Sequence, residues 1–489
     1  MSEYSTFSPL HSEHSAESPH TPFLMNQNNG QVPLTIPHTI ALQDDVEIKK
    51  ETTITVKRRK TNIERLLLIL AILILIATII VLILVVIRLP PKGNTTVTYN
   101  RKVVFIIADG ISADTLERLP VPNIRKIQET GRYKRAYVGG DIGTYSQTVT
   151  ISAPGYMNLI TGTWGNKHNV YDNVVNNPNY NYKNIFRLVK EQQPARTIAI
   201  FSTWIINRIR LVGEGLTSAG NLMFNYKYDG YELDSGAYPH DSNSLYIYNI
   251  DERVVNETAK CIRDNGPDVS WVYLQYTDDI GHKYGDSEQM NQAVEYVDQQ
   301  VGRIYEAIQY RQANYKEEWL LVLTTDHGRD ANTGKNHGSQ TERERTTWIV
   351  TNYHDTNRYF DEYQPAIVDF MPTMMRFLKL KIPIESEKEL DGIPLIGDVS
   401  LVKPEVSLSG STLNVRWKSL AKAGNVKVWL TTTNAYKNGL TDDYKLLGTV
   451  PVTNEQAVFN ITQYQSNFYK IVLEGEYNTV NKWIVQSRG

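Results

Sequence analysis

One apolar segment constrains this chain more than any other feature. Residues 66–87 consist of Leu, Ile, Val and Ala with a single Thr and no charged side chain. As a helix, these 22 residues span about 33 Å, which matches a bilayer hydrocarbon core of about 30 Å. The segment begins too far from the N-terminus for a cleaved signal peptide, and no small-residue cleavage site comes after it. We therefore predict one transmembrane helix that acts as a signal anchor.

The charges that flank this segment predict its orientation. Seven basic residues precede it, namely Lys49, Lys50, Lys57, Arg58, Arg59, Lys60 and Arg65. Only Arg88 and Lys92 follow it closely. Because basic residues concentrate on the cytosolic side of a membrane span, we predict a single-pass type II protein of the cell membrane or an internal membrane. Its C-terminal part is then extracellular or lumenal.

The remaining composition fits this placement. All three Asn-x-Ser/Thr glycosylation sequons follow the apolar segment, at Asn94, Asn256 and Asn460. Cys261 is the one cysteine, so no intrachain disulfide forms, and we expect apolar burial and bound metal to stabilise the fold. Lys plus Arg is 51 and Asp plus Glu is 53, which gives no reason to expect a nucleic-acid groove.

The chain divides into five predicted segments. Residues 1–64 are rich in Ser, Pro, His and Asn, which predicts a disordered cytosolic tail. Residues 65–88 contain the transmembrane helix, and residues 89–100 form a polar stalk. Two folded domains come next, over residues 101–398 and 402–489.

In residues 101–398, apolar runs of strand length alternate with helical segments. The runs are 102–108, 197–202, 269–276 and 319–324. Over residues 287–310, apolar side chains recur at steps of three and four, which predicts a helix with one buried face and Ser287 as its N-cap. Apolar strands that alternate with helices predict an α/β fold, in which a mostly parallel sheet carries helices on both faces.

Residues 402–489 show strand patterns only. The seven candidate strands are 405–409, 412–417, 426–433, 444–452, 457–461, 468–474 and 482–486. This set predicts a β-sandwich, and Trp417 and Tyr469 resemble the core pattern of a fibronectin type III domain. We interpret the sandwich as a spacer or as an adhesive unit that binds a protein partner.

Acidic and histidine residues follow three of the four apolar runs. They are Asp109 after the first run, Asp278 and His282 after the third, Asp326 and His327 after the fourth, and His337 in the next loop. The carboxyl ends of parallel strands meet at one edge of a sheet, so we expect these side chains to lie together. Their carboxylates would repel one another without a cation. Mixed His and Asp ligation favours zinc, with manganese and iron as alternatives.

A serine lies where a phosphate would bind. Pro154 suits the first turn of a helix and Gly162 suits its end, so Ser152 lies at a predicted helix N-terminus. Free amides and the helix dipole favour both a phosphate and a serine alkoxide there. Two interpretations are open: Ser152 is a nucleophile, or it only caps the helix.

In their order along residues 101–397, these motifs resemble the alkaline phosphatase superfamily, and within it the type I phosphodiesterase/nucleotide pyrophosphatase family. The matching motifs are Asp109-Gly110, Ser152-Ala153-Pro154, Thr161-Gly162, Lys167-His168, Tyr171-Asp172-Asn173, Asp278 with His282, Asp326-His327-Gly328, His337-Gly338 and Asp391-Gly392-Ile393-Pro394-Leu395. The set and its order are far more specific than any single motif.

The resemblance implies two zinc ions and a division of their ligands. One ion would be bound by Asp109, Ser152, Asp326 and His327, and the other by Asp278, His282 and His337. It also implies that the Ser152 hydroxyl attacks phosphorus and forms a phosphoseryl intermediate. We expect the substrate to contact Gly155, Tyr156, Lys167 and Asn173.

The chain departs from the family near the nucleophile. The family usually has threonine where this chain has Ser152, and an asparagine commonly comes after the proline where this chain has Gly155. Tyr156 stands where sulfatases of the superfamily carry an arginine, which disfavours a sulfatase.

The expected function is hydrolysis of phosphodiester or pyrophosphate bonds in nucleotides or phospholipid headgroups. A phosphomonoesterase is the alternative enzyme, and an inactive adhesion or receptor ectodomain is the alternative from another class. We favour a diesterase because a monoester carries one more negative charge, and no arginine lies near Ser152 in the sequence to balance it. Lys167 is the nearest candidate for that role.

Overall fold

The computed structural model describes residues 54–88 and 100–486, and these two parts are treated separately. In the first part, side chains are described for residues 62–82. The predicted glycosylation site Asn94 and residues 1–53 of the predicted tail lie outside the described residues.

The N-terminal part is a single helix, α1 (Ile54–Arg88). Its stretch Asn62–Leu82 is long and apolar enough to cross a membrane, with a mean hydropathy of 3.1. The sequence predicts a disordered tail up to residue 64, whereas the helix already begins at Ile54. Residues 54–64 contain no Gly or Pro that would interrupt a helix.

A mixed sheet of seven strands forms the centre of the second part. Its strands are β1 (Asn100–Ala108), β2 (Arg132–Tyr137), β3 (Ile198–Ser202), β4 (Tyr226–Tyr228), β5 (Val269–Leu274), β6 (Glu317–Thr324) and β7 (Thr346–Thr351). They lie in the order β2-β7-β6-β1-β5-β3-β4. Strands β6, β1, β5, β3 and β4 pair in parallel, whereas β7 and β2 pair antiparallel at one edge. The α/β prediction is confirmed, with the correction that the chain reverses between β6 and β7.

Helices cover both faces of this sheet. They are α2 (Ala113–Arg118), α3 (Pro122–Thr130), α4 (Ser152–Thr161), α5 (Gly165–His168), α6 (Ile185–Gln192), α7 (Leu245–Asn265), α8 (Tyr276–Tyr284), α9 (Glu288–Asn314), α10 (Glu342–Arg345), α11 (Arg358–Glu362), α12 (Phe370–Phe377) and α13 (Ile384–Glu387). Short 3₁₀ or π turns occur at Asn207–Val212, Thr217–Ala219, Tyr231–Leu233, Ile367–Asp369, Tyr436–Asn438 and Val452–Asn454. Alternate residues of β1 enter opposite cores: Phe105 packs in the core that contains α4 and α12, and Val104 in the core that contains α7 and α9.

The predicted helix over residues 287–310 is confirmed by α9. The Ser287 hydroxyl accepts a hydrogen bond from the Met290 amide at 3.2 Å, as expected for an N-cap. The apolar side chains at the predicted steps are buried against the sheet. Local sequence signals therefore locate this helix correctly.

All seven C-terminal strands that the sequence predicts are present. They are β8 (Leu401–Ser409), β9 (Thr412–Ser419), β10 (Asn425–Thr431), β11 (Lys445–Pro451), β12 (Gln456–Asn460), β13 (Phe468–Glu474) and β14 (Thr479–Val485). They form two antiparallel sheets, ordered β11-β10-β13-β14 and β12-β9-β8. Trp417 and Tyr469 are buried in a core that is continuous with one face of the central sheet.

The other two predicted glycosylation sites lie among the described residues. Asn256 is exposed on α7, and Asn460 is exposed at the end of β12. Both side chains are open to solvent, as a glycosylated asparagine requires. Their modification stays a prediction.

Buried charges connect the C-terminal strands to the central domain. Lys470 in β13 is fully buried and pairs with Glu389 at 2.5 Å and with Asp442 at 2.9 Å. Beside it, the buried Lys167 pairs with Asp391 at 2.6 Å. Of these contacts, the Lys470–Glu389 pair crosses between the two folded regions, as does a hydrogen bond from Lys167 to Asn481 at 3.1 Å. A buried charge that loses its partner is strongly destabilising, so these crossing contacts help to hold the two regions together.

Replacing Lys470 should therefore destabilise the protein. In Lys470→Met, Glu389 and Asp442 remain buried without a cation, and we expect a loss of about 3–5 kcal/mol in the free energy of unfolding. The matched control is Lys427→Met in β10, because Lys427 is half-exposed and pairs with Glu474 at the surface. That change should cost at most about 1 kcal/mol. Denaturant unfolding of both variants measures the difference, and equal losses would contradict the prediction.

Candidate metal centre

The predicted metal ligands meet at one edge of the central sheet. Strands β5 and β6 flank β1 in parallel, with Ala108 opposite Leu274 and Ile107 opposite Thr324, so all three strands end at the same level. Asp109 directly follows β1, and the other acidic ligands follow β5 and β6 within a few residues. The carboxyl edge of a parallel sheet is where ligands bind in such folds, and the predicted convergence is observed.

The first cluster contains Asp109, Asp326 and His327, whose ligand atoms all lie within 4.8 Å of one another. His327 Nε2 is 3.4 Å from Asp109 Oδ1 and 3.2 Å from Asp326 Oδ2. The Ser152 Oγ atom lies 3.5 Å from the same His327 Nε2. The structure thus brings together all four residues of the first predicted ligand set.

The second cluster lies beside the first. The ligand atoms of Asp278, His327 and His337 lie within 4.8 Å of one another. His282 Nε2 is 3.4 Å from Asp278 Oδ2 and 3.0 Å from His337 Nε2. The His327 and His337 rings stack with centroids 3.7 Å apart, so the two clusters are contiguous. All three residues of the second predicted ligand set are therefore adjacent.

Among the described residues, no lysine or arginine pairs with the carboxylates of the first cluster, Asp109 and Asp326. Burial, followed by the charges of neighbouring carboxylates, raises the pKa of Asp109 well above its ordinary value, and burial likewise raises the pKa of Asp326. Asp109 Oδ1 and Asp326 Oδ2 are buried and have no hydrogen-bond partner among the described residues. Buried polar atoms are normally paired. Two carboxylate oxygens without a hydrogen-bond partner, beside an imidazole nitrogen, fit a site for a divalent cation. This mixture of oxygen and nitrogen donors suits zinc.

The electrostatics of the second cluster differ because the positively charged side chain of Arg329 pairs with Asp278. Burial alone would raise the pKa of Asp278, but a hydrogen bond from His282 and the charge of Arg329 hold that pKa well below its ordinary value. Burial lowers the pKa of both His327 and His337, which keeps these rings neutral. Neutral imidazole is the form that binds a metal.

Tyrosine hydroxyls orient Asp109 from behind. Tyr273 donates a hydrogen bond to Asp109 Oδ2 at 2.8 Å, and the Tyr156 hydroxyl donates to the same oxygen. The Thr277 hydroxyl donates to the Asp109 carbonyl at 2.6 Å. Partners of this kind fix a ligand's orientation. Tyr156 is fully buried, so the predicted contact with substrate is wrong: its hydroxyl supports Asp109 instead.

Ser152 is the first residue of α4, and its side chain does not cap the helix. The N-cap position is Ile151, and no side chain makes a capping hydrogen bond there. The Ser152 hydroxyl contacts His327 instead. Of the two interpretations that the sequence left open, the geometry disfavours the helix cap and places the hydroxyl beside the first cluster.

The hydroxyl of Thr150, two residues before Ser152, is bound to the loop that carries His337. Thr150 Oγ1 donates to the Ser339 carbonyl at 2.7 Å and accepts from the Gly338 amide at 3.0 Å. The Thr150 carbonyl oxygen lies 2.9 Å from His337 Nδ1. Thr150 thus holds the loop that carries His337, a supporting role that the sequence did not reveal.

Two of the predicted substrate contacts lie next to Ser152. Asn173 Oδ1 accepts a hydrogen bond from the Ala153 amide at 3.0 Å, and the side chain is exposed. Gly155 is buried against Asp326, and a Cβ at this position would be 3.0 Å from the Asp326 Cβ. The prediction that Gly155 contacts substrate is therefore corrected, since the glycine lets α4 approach Asp326 closely.

Lys167 does not reach the substrate site. Its Nζ donates to the Glu389 carbonyl at 2.7 Å, to Asp391 at 2.6 Å and to Asn481 at 3.1 Å. The side chain is fully buried. The predicted substrate contact is wrong because partners more than 200 residues away in the sequence take up every proton of this ammonium group.

Comparison with known proteins assigns the family. A search of curated proteins found no match. Among solved structures, murine ectonucleotide pyrophosphatase/phosphodiesterase 5 shares 14% identity over 58% of this chain and 96% of its own, with a TM-score of 0.41. The human protein of the same name shares 13% over 58% and 96%, with a TM-score of 0.40. A protein of the alkaline phosphatase superfamily from Vibrio parahaemolyticus shares 15% over 66% and 78%, with a TM-score of 0.41.

The family model described as type I phosphodiesterase/nucleotide pyrophosphatase matches residues 103–365, more than half of the chain. The matched region contains both clusters and Ser152. The chain therefore belongs to the type I phosphodiesterase/nucleotide pyrophosphatase family.

Proposed function

We propose that this chain is a membrane-anchored hydrolase that cleaves phosphodiester and pyrophosphate bonds at a two-zinc centre, through a phosphoseryl intermediate on Ser152. One observation carries the proposal. A buried serine hydroxyl lies 3.5 Å from His327 Nε2, beside two clusters of carboxylates and imidazoles that could each hold a cation. Membership of the family supports hydrolysis of phosphodiesters as the reaction.

The ligands of the two ions are taken from the clusters. Asp109, Ser152, Asp326 and His327 would hold one zinc, and Asp278, His282 and His337 the other. When bound, such cations lower the pKa of a nearby hydroxyl and balance the negative charge that develops around phosphorus. Manganese or iron would satisfy the same donor set.

The residues of the chain then have separate tasks. The Ser152 oxygen forms a bond to phosphorus while the bond from phosphorus to the leaving oxygen breaks, and water later cleaves the serine ester and restores the hydroxyl. Asn173 is held by the Ala153 amide through Oδ1, so its exposed amide nitrogen is oriented to donate to a phosphoryl oxygen. Tyr156 and Tyr273 keep Asp109 in place.

The architecture suggests how the enzyme is displayed. We assign residues 65–88 to a transmembrane segment with a cytosolic N-terminus, and residues 101–398 to an extracellular or lumenal catalytic domain. Residues 402–489 would be a fibronectin type III-like sandwich with a role as a spacer or an adhesive unit. The apolar stretch Asn62–Leu82 and the exposed sequons support this arrangement.

A comparison of diester and monoester substrates tests the reaction. With Lys167 held by Asp391, the hydrogen bonds and ion pairs of the described residues place no lysine or arginine at Ser152. We therefore expect kcat/KM for a p-nitrophenyl phosphodiester to exceed that for p-nitrophenyl phosphate at least tenfold, about 1.4 kcal/mol in transition-state binding. The purified ectodomain should be assayed on both, and on ATP and lysophospholipids. A tenfold preference for the monoester would favour the phosphomonoesterase, and no turnover of any of them would favour an inactive ectodomain.

A further inference from the structure

An arginine lies buried directly behind the second cluster. Arg329 is 1% exposed, although it comes after the Asp326-His327-Gly328 motif in a loop. Its Nε donates to the Gly110 carbonyl at 2.9 Å, and its Nη2 donates to the Asp278 carbonyl at 2.9 Å and to the Asp278 carboxylate. The Nη1 atom is 3.3 Å from the Lys335 carbonyl. Each nitrogen of the guanidinium thus has an acceptor.

Two glycines provide the space for this guanidinium. A Cβ at Gly110 would lie 2.5 Å from Arg329 Nη2, and a Cβ at Gly281 would lie 2.1 Å from Arg329 Cζ. Real Cβ contacts are not this short, so neither position tolerates a side chain while Arg329 keeps its place. Both glycines belong to the segments that carry metal ligands, because Gly110 follows Asp109 and Gly281 lies between Asp278 and His282.

The contact restricts how the Asp278 carboxylate can turn. Arg329 pairs with Oδ1 and also with the backbone carbonyl of the same residue, a two-point contact that fixes both the side chain and its backbone. The other oxygen, Oδ2, faces His282 Nε2 at 3.4 Å. A planar guanidinium suits such fixed geometry better than a lysine ammonium does.

We propose that Arg329 is a positioning residue that orients Asp278 and thereby sets the affinity of the second cation site. This inference rests on the proposed function, because it requires that Asp278, His282 and His337 hold a cation. The fixed positive charge also offsets part of the negative charge of the clustered carboxylates. Arg329 acts through Asp278, and its burial excludes contact with substrate.

Metal affinity tests this role directly. The wild type and Arg329→Gln should be loaded with zinc and titrated with a competing chelator, with the zinc content of each measured by mass spectrometry. We expect one of the two ions to bind about 10–100-fold more weakly in the variant, as loss of a ligand's supporting partner typically does, and the other to be unaffected. Arg329→Lys should recover part of the affinity. With zinc in excess, kcat should fall while KM for the diester changes little.

The matched control is Arg343→Gln, since Arg343 lies nearby, is partly buried and pairs with Asp114 and Asp286 instead of a metal ligand. It should keep both ions. Gly281→Ala is a second test of the same contact, because it retains Arg329 but displaces its guanidinium. It should weaken the binding of the same ion.

The outcomes separate the two proposals. A wild-type protein that binds no zinc would overturn the proposed function. Two ions in the wild type with unchanged affinity in both Arg329→Gln and Gly281→Ala would overturn the role of Arg329 alone. Tighter zinc binding in Arg329→Gln would also overturn it, because the arginine would then compete with the cation for Asp278.

Discussion

Ser152→Ala should reduce the hydrolysis rate by roughly 10⁴-fold or more, because it removes the nucleophile and the reaction has no covalent route without it. Nearby hydroxyls cannot replace it. Thr150 is held between the Ser339 carbonyl and the Gly338 amide, and Thr148 donates to the Ser146 carbonyl. Among the described residues, the Ser152 side chain makes one hydrogen bond, to His327 at 3.5 Å, so the melting temperature should change little.

Matched variants make this result specific. Ser112→Ala is the control, since Ser112 is also buried and its hydroxyl has no hydrogen-bond partner in the described part of the chain. It should keep full activity. Ser152→Thr should retain turnover, because the family commonly uses threonine at this position. Wild-type protein acid-quenched during turnover of a diester should carry the phosphoryl group, with its remaining ester substituent, on the peptide that contains residue 152. If Ser152→Ala keeps most activity and Thr150→Ala loses it, the nucleophile has been assigned to the wrong residue.

The convergence of the candidate metal ligands is predictable from the sequence because its signals are local. Asp109, Asp278 and Asp326 come after short apolar runs that fit buried strands, and parallel strands bring the residues after their carboxyl ends to one edge of the sheet. The register of β1 against β5 and β6 confirms this reasoning. The same locality explains the correct N-cap at Ser287, since a helix start depends on a few adjacent residues.

Three strands of the central sheet, β2, β4 and β7, are not predicted from the sequence. Strand β7 is buried and apolar over residues 348–350, a signal that the prediction does not use, whereas β2 and β4 lack such signals. Strand β2 has the sequence Arg-Tyr-Lys-Arg-Ala-Tyr, and most of its side chains are only partly buried. Strand β4 has three residues. Their pairing depends on β7 and β3, whose own positions depend on the rest of the sheet. An edge strand of this kind is defined by its neighbours more than by its own composition.

The wrong substrate contacts have a similar cause. Tyr156 and Lys167 lie near Ser152 in the sequence, which is the basis for predicting that they contact substrate, yet both point into the interior. Tyr156 is four residues after Ser152 on α4 and reaches Asp109. Lys167 is neutralised by Asp391, which is distant in the sequence. A polar side chain near Ser152 in the sequence can contact substrate or support the fold, and the sequence does not distinguish the two. The role proposed for Arg329 is not predictable from the sequence for the same reason.

Removal of metal should abolish activity, and zinc should restore it. Without cations, Asp109 and Asp326 remain buried close together with unpaired oxygens, a state that is unfavourable for both carboxylates. Metal analysis of the purified ectodomain should find about two ions per chain. Dialysis against a chelator should remove them, lower the melting temperature and eliminate turnover. Zinc at about 100 times its Kd should add back about 2.7 kcal/mol of stability per site.

Asp326→Asn separates this effect from general damage to the fold. The substitution preserves the shape of the side chain but removes one of the two carboxylates that approach His327 Nε2 and whose charges oppose each other in the first cluster. The metal-free variant should therefore be at least as stable as metal-free wild type, because the repulsion with Asp109 is gone. It should nevertheless lose turnover and gain less stability from zinc, since the first ion loses a charged ligand. Such opposite changes in stability and activity are typical of a residue kept for function. Full activity after exhaustive chelation, or a metal-free Asp326→Asn protein less stable than metal-free wild type, would contradict the view that this cluster is strained until a cation binds.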